Sequence, residues 1–415
     1  MPAEPREATP IAMAYIGNVF PNEARFQTRA TSRAGEMAQR NLLRGMREAG
    51  LKPSLLITPL PIPSFRASRT LLVGGTALSI PESDEAYSPG FINIAPLKQV
   101  MVGISTFLRL IAWSMKHRDA DRVMYQFNLT FPPGLFMLLA ARMTGSKAVG
   151  WINDINMPGE TVPRTWAYNL EYRMQRWALT KFDAIIAISD AIVRDFDLRV
   201  PHVMIEGGVD ESSHAIAPGA TRNDDKFVIA SAGSLKEANG FELLLEAFSR
   251  LKGDHFRLRI AGGGPLEGKV KSAAAVDPRI EFLGFLDFEQ VLKLYQSADV
   301  LVNSRITKNV NTRYFFPSKL FEFLASGRPV ISTPTGNVEH EYAPYVYLLT
   351  DETPEALAAL LQEISQEPRE VRAAKGARGR EFVLTQKSWG AQGKKVVAWL
   401  RSLFSEDSST ARGAR

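Results

Sequence analysis

Cysteine is absent from this chain, and histidine occurs only five times. The first absence excludes disulfides, a cysteine-ligated zinc site and a thiol nucleophile, and it fits a reducing compartment. The second leaves little from which to build a metal cluster. No run approaches the eighteen or more apolar residues of a membrane-spanning helix, and the opening MPAEPREATP lacks the apolar core of a secretory signal. The expectation is a cytoplasmic protein, with the inner face of the cytoplasmic membrane as a further place for it. Acidic residues are not scarce: 44 Asp and Glu stand against 50 Lys and Arg, for a net charge of +6. That mild excess suits a small anionic substrate or peripheral contact with an anionic membrane, and it is not a nucleic-acid signature.

What the chain has is ordinary globular material, 45% hydrophobic and 23% charged over 415 residues. That length suits two domains of roughly 200 residues each. Short apolar runs alternate with helical patterns from residue 11 onward, which predicts an α/β fold with parallel sheets and crossover helices. The alternation breaks at a polar stretch, 211–225, and restarts at 226. Residues 1–210 therefore read as one domain and 226–386 as a second. The amphipathic pattern of 389–404 makes a final helix, and 405–415 reads as a disordered polar tail. Residues 62–97, rich in Pro, Gly and Ser, resist assignment.

Several strand ends carry residues suited to a ligand. Gly17 follows the first strand, where it either lets a ligand approach the backbone or makes a plain turn. Asn153 and Asp154 follow the strand at 147–152, and Asp154 is either catalytic or a turn cap. The segment 166–179 interleaves Trp166, Tyr168, Tyr172 and Trp177 with Arg173 and Arg176. Its aromatics could meet a membrane or an acceptor, but the favoured reading is a packed core beside a solvated basic face.

The stretch richest in chemistry is 304–333, SRITKNVNTRYFFPSKLFEFLASGRPVIST. Pro317 suits the first residue of a helix and Gly327 with Pro329 its end, so 317–326 reads as a short capped helix. A basic loop with Arg305, Lys308 and Arg313 precedes it. Free amides at Ser318, Lys319 and Leu320, with the Lys319 ammonium, would make an anion site. Glu322 lies three residues past Lys319 on the same side of the helix. Phosphates at the helix start and ribose hydroxyls on the glutamate would fit a nucleotide; a surface helix with a chance Lys and Glu is the plain alternative.

Taken in order, FDAIIAISDAI, HVMIEGGVD, FVIASAGSLKEANGFELLLEAFSRL, LRIAGGGPL, IEFLGFLDFEQVLKLYQSADVLVNSR and FPSKLFEFLASGRPVIST resemble the family 4 retaining glycosyltransferases of the GT-B fold, in the branch that assembles bacterial surface polysaccharides. The resemblance covers most of 182–333. It implies two Rossmann-like domains facing across a cleft, with the final helix, 387–404, crossing back to the first domain. It further implies transfer of a hexose-type sugar from a nucleotide-sugar co-substrate to a glycan or lipid-linked acceptor hydroxyl, with retention and without an essential metal or other cofactor.

Carried over by position, Glu322 resembles the ribose-binding glutamate of the family's paired motif. Lys319, with the amides of Ser318 to Leu320, resembles the diphosphate site, and Gly17 the first donor loop. Gly263, Gly264 and Pro265, together with Phe285, resemble the base pocket; Gly233 belongs to the adjoining loop and Arg305 is a further phosphate contact. Lys319, Glu322 and Asp154 are the expected catalytic residues. Three positions depart from the pattern. Tyr314 stands where the pair's other glutamate would be, Ser234 and Asn239 where a basic pair would be, and Asn153 where a histidine would precede Asp154. These departures motivate the alternative of a nucleotide-sugar-binding protein without transferase activity.

Overall fold

In the computed structural model the chain forms two compact units, 1–205 with 389–415 and 206–388. The structure describes residues 9–26, 32–129, 133–155, 157–159, 162–210, 226–308 and 311–410. The expected linker 211–225 lies outside them, as does the 411–415 part of the expected tail. The chain passes between the units at 205/206 and 388/389, so 206–210 and 387–388 belong with the second unit.

The first unit runs β1 (Ile11–Ile16), α1 (Arg33–Glu48), β2 (Leu55–Ile57), β3 (Leu72–Val73), β4 (Thr76–Leu78), β5 (Glu85–Ser88), β6 (Phe91–Ile92), α2 (Leu97–Lys116), β7 (Asp121–Phe127), α3 (Pro133–Thr144), β8 (Lys147–Ile152), α4 (Trp166–Leu179), β9 (Ala184–Ala187), α5 (Asp190–Asp195) and β10 (His202–Met204). Among the described residues its main sheet has the order β10-β9-β8-β7-β1-β2-β5-β4, parallel except for β4 against β5. The unassigned stretch 62–97 supplies β4 and β5, and β3 and β6 form a separate antiparallel ribbon. Such two- to four-residue strands are too short to show a period. The central strands are buried on both faces, which is why they read as continuous apolar runs rather than alternating ones.

The second unit runs β11 (Phe227–Ala232), α6 (Phe241–Arg250), β12 (Phe256–Ala261), α7 (Glu267–Val276), β13 (Ile280–Phe282), α8 (Phe288–Ser297), β14 (Val300–Asn303), α9 (Lys319–Ala325), β15 (Val330–Ser332), β16 (Tyr347–Leu348), α10 (Pro354–Gln366) and α11 (Arg369–Gln386). Its sheet is wholly parallel in the order β13-β12-β11-β14-β15-β16. This is the doubly wound arrangement, whose strand order reverses between β11 and β14. Helix α7 carries no sequence signal: in EGKVKSAAAV only Val270 is buried.

The last helix, α12 (Trp389–Thr410), packs within the first unit. Its Val396, Val397, Leu400 and Leu403 are buried in one cluster with Leu42, Leu43 and Met46 of α1, each such side chain contributing about 1.5–3 kcal/mol. The helix passes Phe404 and continues to Thr410, because no Gly or Pro interrupts SEDSST; residues 405–410 are therefore helical rather than a disordered tail. Contact with α1 is backbone to backbone at two glycines. A Cβ on Gly45 would lie 2.0 Å from the Trp389 carbonyl oxygen, and one on Gly393 would lie 2.1 Å from the Gly45 carbonyl carbon.

Both passages of the chain between units are fastened inside the second unit. Lys387, almost fully buried, bonds Glu206 at 3.0 Å and Glu341 at 2.8 Å, and the Val209 N–H donates to the Lys387 carbonyl at 3.0 Å. Burial pushes the Glu206 carboxyl up, but the Lys387 cation and a hydrogen bond from Glu341 outweigh it and leave the pKa below the usual range. Burial and the neighbouring Glu206 raise the Glu341 pKa, so Glu341 keeps a proton longer and donates it to Glu206. The Glu206 contribution to stability is present above its unfolded pKa and is lost as pH falls through the lowered folded value. That of Glu341 runs the other way, present below its unfolded pKa and lost as pH rises through the raised one.

Two outcomes follow for urea unfolding. Gly393→Ala forces the α1–α12 backbones apart and lowers stability by about 1–3 kcal/mol, whereas Gly268→Ala, where no atom lies within 4 Å of the added Cβ, is no worse than neutral. Lys387→Ala leaves the buried Glu206 carboxylate, and the half-exposed Glu341 beside it, without their cation and costs about 3–5 kcal/mol at neutral pH. The loss is smaller at acid pH, where Glu206 and Glu341 are both protonated.

Candidate functional site

The carboxyl ends of β11 and β14, where the second sheet's order reverses, open into a cavity of about 200 Å³. Its lining includes Gly233 and Ser234 after β11, Asn303 at the end of β14 and Arg305 after it, and Ser318 and Lys319 at the start of α9. Three loops meet there because glycines remove the side chains that would hold them apart. A Cβ on Gly262 would lie 1.8 Å from the Gly233 carbonyl oxygen, and one on Gly240 would lie 1.7 Å from that of Ser304. Gly262 (φ 133°) and Gly240 (φ 70°) also have backbone conformations that L side chains rarely adopt. Hydrogen bonds then tie the loops: Gly233 N–H to the Ala261 carbonyl at 3.0 Å, Leu235 N–H to Gly263 at 3.0 Å, and Gly262 N–H to Gly284 at 2.7 Å.

Two cations face this cavity. Arg305 is largely buried and donates to the Asn239 Oδ1 at 3.1 Å, while its guanidinium lies 3.7 Å from the centroid of the Phe315 ring. Its Nε is buried with no hydrogen-bond partner. Burial lowers its pKa, though an arginine remains charged. Asn239 in turn donates to the Ser234 carbonyl at 2.6 Å. The two positions that lack the expected basic pair thus form the bracket that holds Arg305. Lys319 is half-exposed, with its stem over Gly233, and its ammonium lies 3.7 Å from Glu322 Oε2. An exposed pair of that kind is worth little, so the lysine is readily available to an anion. The buried Tyr295 hydroxyl reaches Glu322 Oε2 at 3.5 Å, and its own pKa is raised by burial and by that carboxylate.

The structure does not bring all the expected residues together. Helix α9 begins at Lys319 rather than Pro317, and its first turn is tight: the Leu320 N–H donates to the Pro317 carbonyl at 2.8 Å. Leu320 therefore has no free amide, and its side chain is fully buried. Pro317 fits this turn as an acceptor. Gly263, Gly264 and Pro265 lie exposed in the adjoining loop, and Phe285, 89% exposed, follows Gly284. Gly17 and Asp154 lie in the first unit, at the ends of β1 and β8. A Cβ on Gly17 would fall 2.4 Å from Gln39 Oε1 and 2.6 Å from the Tyr15 ring, so α1 and β1 themselves demand glycine there. Asp154 is exposed and accepts from Asn128 Nδ2 at 3.2 Å. Asn128, in the left-handed region at φ 45°, also accepts from the N–H groups of Asn153 and Asp154 at 2.8 and 3.1 Å.

Sequence reasoning missed Asn239 and Phe315 as supports of Arg305, Tyr295 behind Glu322, and Asn128 beneath Asp154. Only Asn128 had a signal, as an Asn just past a strand end. In α4 the two tryptophans are not core, Trp166 being 79% and Trp177 55% exposed, whereas Tyr168 and Tyr172 are half-buried and Tyr172 meets the buried Phe196 ring edge-on. The helix has too few apolar positions to decide by pattern which side is covered. Among the described residues no three His, Asp or Glu side chains gather as a metal would require.

The fold and this switch-point cavity define a GT-B α/β protein with two Rossmann-like units. Residues 226–367, the body of the second unit, match the family described as "Glycosyl transferases group 1". The chain is 28% identical over 180 residues to a Salmonella typhimurium protein provisionally named colanic acid biosynthesis glycosyltransferase WcaL, covering 42% of this chain and 44% of that one. The match thus spans less than half the length of that relative. It is 24% identical over 323 residues to a GDP-mannose-dependent monoacylated alpha-(1-6)-phosphatidylinositol monomannoside mannosyltransferase of Corynebacterium glutamicum, covering 74% and 82%. Among solved structures, Anabaena Alr3699/HepE in complex with UDP superposes with a TM-score of 0.62 at 14% identity, over 95% of this chain and 100% of that one.

Urea unfolding separates the crossing glycines from their neighbour. Gly262→Ala, with backbone overlap and a disallowed φ, destabilises by about 1–3 kcal/mol. Gly263→Ala, whose added Cβ meets nothing nearer than Glu267 Oε2 at 3.9 Å, stays within about 0.5 kcal/mol.

Proposed function

We propose that this protein is a family 4 retaining glycosyltransferase. It moves a hexose-type sugar from a nucleotide-sugar to a hydroxyl of a glycan or lipid-linked acceptor, in the assembly of a cell-surface polysaccharide. The observation that carries this reading is the cavity at the β11/β14 switch point, with Arg305 and Lys319 facing the Gly233–Ser234 loop. A diphosphate suits it: the cations supply charge, and the glycines allow close approach. The match over 226–367 and the names of the relatives support the same class. The UDP of Alr3699/HepE and the GDP-mannose of the Corynebacterium relative support a nucleotide-sugar donor and leave its base open.

The chemistry follows from where charge develops. When the bond between the anomeric carbon and the phosphate oxygen breaks, negative charge grows on the diphosphate and positive charge on the sugar ring. Arg305 is partly desolvated and is held by an amide and a ring, without a carboxylate. A growing phosphate charge gives it the partner it lacks, so it stabilises the transition state more than the ground state. Lys319 exchanges its weak pairing with Glu322 for the same phosphate. Glu322, released, accepts hydrogen bonds from the ribose hydroxyls. We assign Asp154 to the reacting sugar and its acceptor. Retention then needs no carboxylate nucleophile, because the departing phosphate takes the acceptor proton. Phosphate charge is met by side chains, so the reaction needs no metal.

Purified protein given a panel of nucleotide-sugars and an acceptor tests this. One donor is consumed, its product keeps the donor's anomeric configuration, and a chelator leaves turnover unchanged. Lys319→Ala and Arg305→Ala each lower kcat about a hundredfold, the loss of roughly 3 kcal/mol of transition-state stabilisation, while the thermal midpoint holds. Near-normal turnover in both variants overturns the assignment. A donor that binds yet is neither transferred nor slowly hydrolysed identifies a binding protein instead.

A further inference from the structure

We propose that Asn128 is the positioning residue for Asp154, fixing the orientation of its carboxylate; this rests on the assignment of Asp154 to the reacting sugar and its acceptor. The order of the first sheet reverses at β1, whose neighbours are β7 on one side and β2 on the other. In such sheets ligand groups stand at the carboxyl ends of the strands beside the reversal. Asn128 follows directly on β7, and Asp154 lies two residues past the end of the adjoining β8. The backbone of Asn128 is pinned from both sides. Phe127 and Leu129 are buried, Phe127 meets the Trp151 ring edge-on at 4.9 Å, and the Asn128 N–H donates to the Trp151 carbonyl at 2.8 Å. These anchors hold φ at 45°, in the left-handed region, which a residue other than glycine keeps only where its surroundings impose it.

Glycine would suit that backbone better than any other residue. What it lacks is the side chain, which here makes three bonds. Oδ1 accepts from the N–H groups of Asn153 and Asp154 at 2.8 and 3.1 Å, and Nδ2 donates to Asp154 Oδ2 at 3.2 Å. Only an amide can do both. Two N–H donors converge on one atom, so that atom is the carbonyl oxygen, and the NH₂ is left for the carboxylate. An aspartate would keep both backbone bonds but set a second carboxylate against the first. The Asp154 side chain is exposed, and among the described residues no other hydrogen bond or ion pair restrains its carboxylate. Asn128 therefore selects one orientation of a group that is otherwise free to turn in solvent. It engages Oδ2 and leaves Oδ1 to accept from a hydroxyl of the substrate. Misplacing a reacting group by about an ångström costs on the order of a hundredfold in rate, so a single bond of this kind has a large effect on turnover.

Turnover of the full chain over a pH series, with circular dichroism alongside, tests this. Asn128→Asp keeps the left-handed φ and both backbone bonds, so its circular dichroism stays native. Its kcat falls about tenfold or more while the KM for the donor holds. The acid limb of its pH profile also moves up by about one unit or more, because two carboxylates in contact cannot both ionise. Asn128→Gly, which suits φ and adds no charge, loses kcat to a similar degree without that movement. Asp154→Asn tells the two readings apart: near-normal turnover there removes Asp154 from the reaction, and the assignment beneath this proposal falls. An inactive Asp154→Asn beside an Asn128→Asp with normal kcat and an unmoved profile makes Asn128 a turn residue only and overturns the proposal. Loss of the native circular dichroism in both Asn128 variants overturns it as well, since the role is then structural.

Discussion

The candidate site depends on a contact that only glycine permits. Loops after adjacent parallel strands are normally separated by side chains, but at Gly262 and Gly240 they meet backbone to backbone, within a distance no Cβ could occupy. This crossing brings the ends of β11, β12 and β14 together at the point where the sheet order reverses. It brings the Gly233–Ser234 loop to face Lys319 and Arg305. A side chain at Gly262 would part the loops, and Arg305 would lose the bracket that positions it.

That bracket also changes the meaning of the missing basic pair. Ser234 and Asn239, uncharged, look in the sequence like a loss of affinity for phosphate. In the fold they are linked to each other and to Arg305, which arrives from the next strand end. The cation on this side of the cavity is thus supplied by the neighbouring loop across the switch point. Its setting also differs from that of a surface lysine. A partly desolvated guanidinium, with a buried Nε lacking a partner, gains more from an arriving anion than a fully solvated one does, because part of its desolvation has already been met by the fold.

Most of the architecture was legible because the parallel strands are buried on both faces and read as uninterrupted apolar runs, while Gly and Pro mark their ends. Helix α7 and strands β3 to β6 were not, since they bury too little to impose a period. The start of α9 was misjudged for a different reason. Pro317 is compatible with a first helical turn, but sequence cannot show that its carbonyl would take the Leu320 amide. The residues holding Arg305 were invisible in principle: Asn239 and Phe315 lie 66 and 10 positions from it by residue number, and only the fold brings them to it. Lys319 and Glu322 were legible because they are neighbours on one helix turn.

Helical spacing of apolar residues states that two sides of a helix differ, but not which one is covered. In α4 the spacing of Trp166, Leu170 and Trp177 fits a core helix and an interfacial one equally, and frequency alone favours the core. The deciding quantity is the opposite face. In α2 the residues opposite the exposed stripe of Leu97, Val100, Ile104 and Leu108 are themselves apolar and buried, so the helix has two apolar sides and one sheet to cover them. A helix apolar on both sides is expected in a membrane or between two layers. The α2 cations do not lie on the uncovered stripe: Lys116 pairs with Glu85 at 2.6 Å and the Arg109 guanidinium lies over the Tyr87 ring.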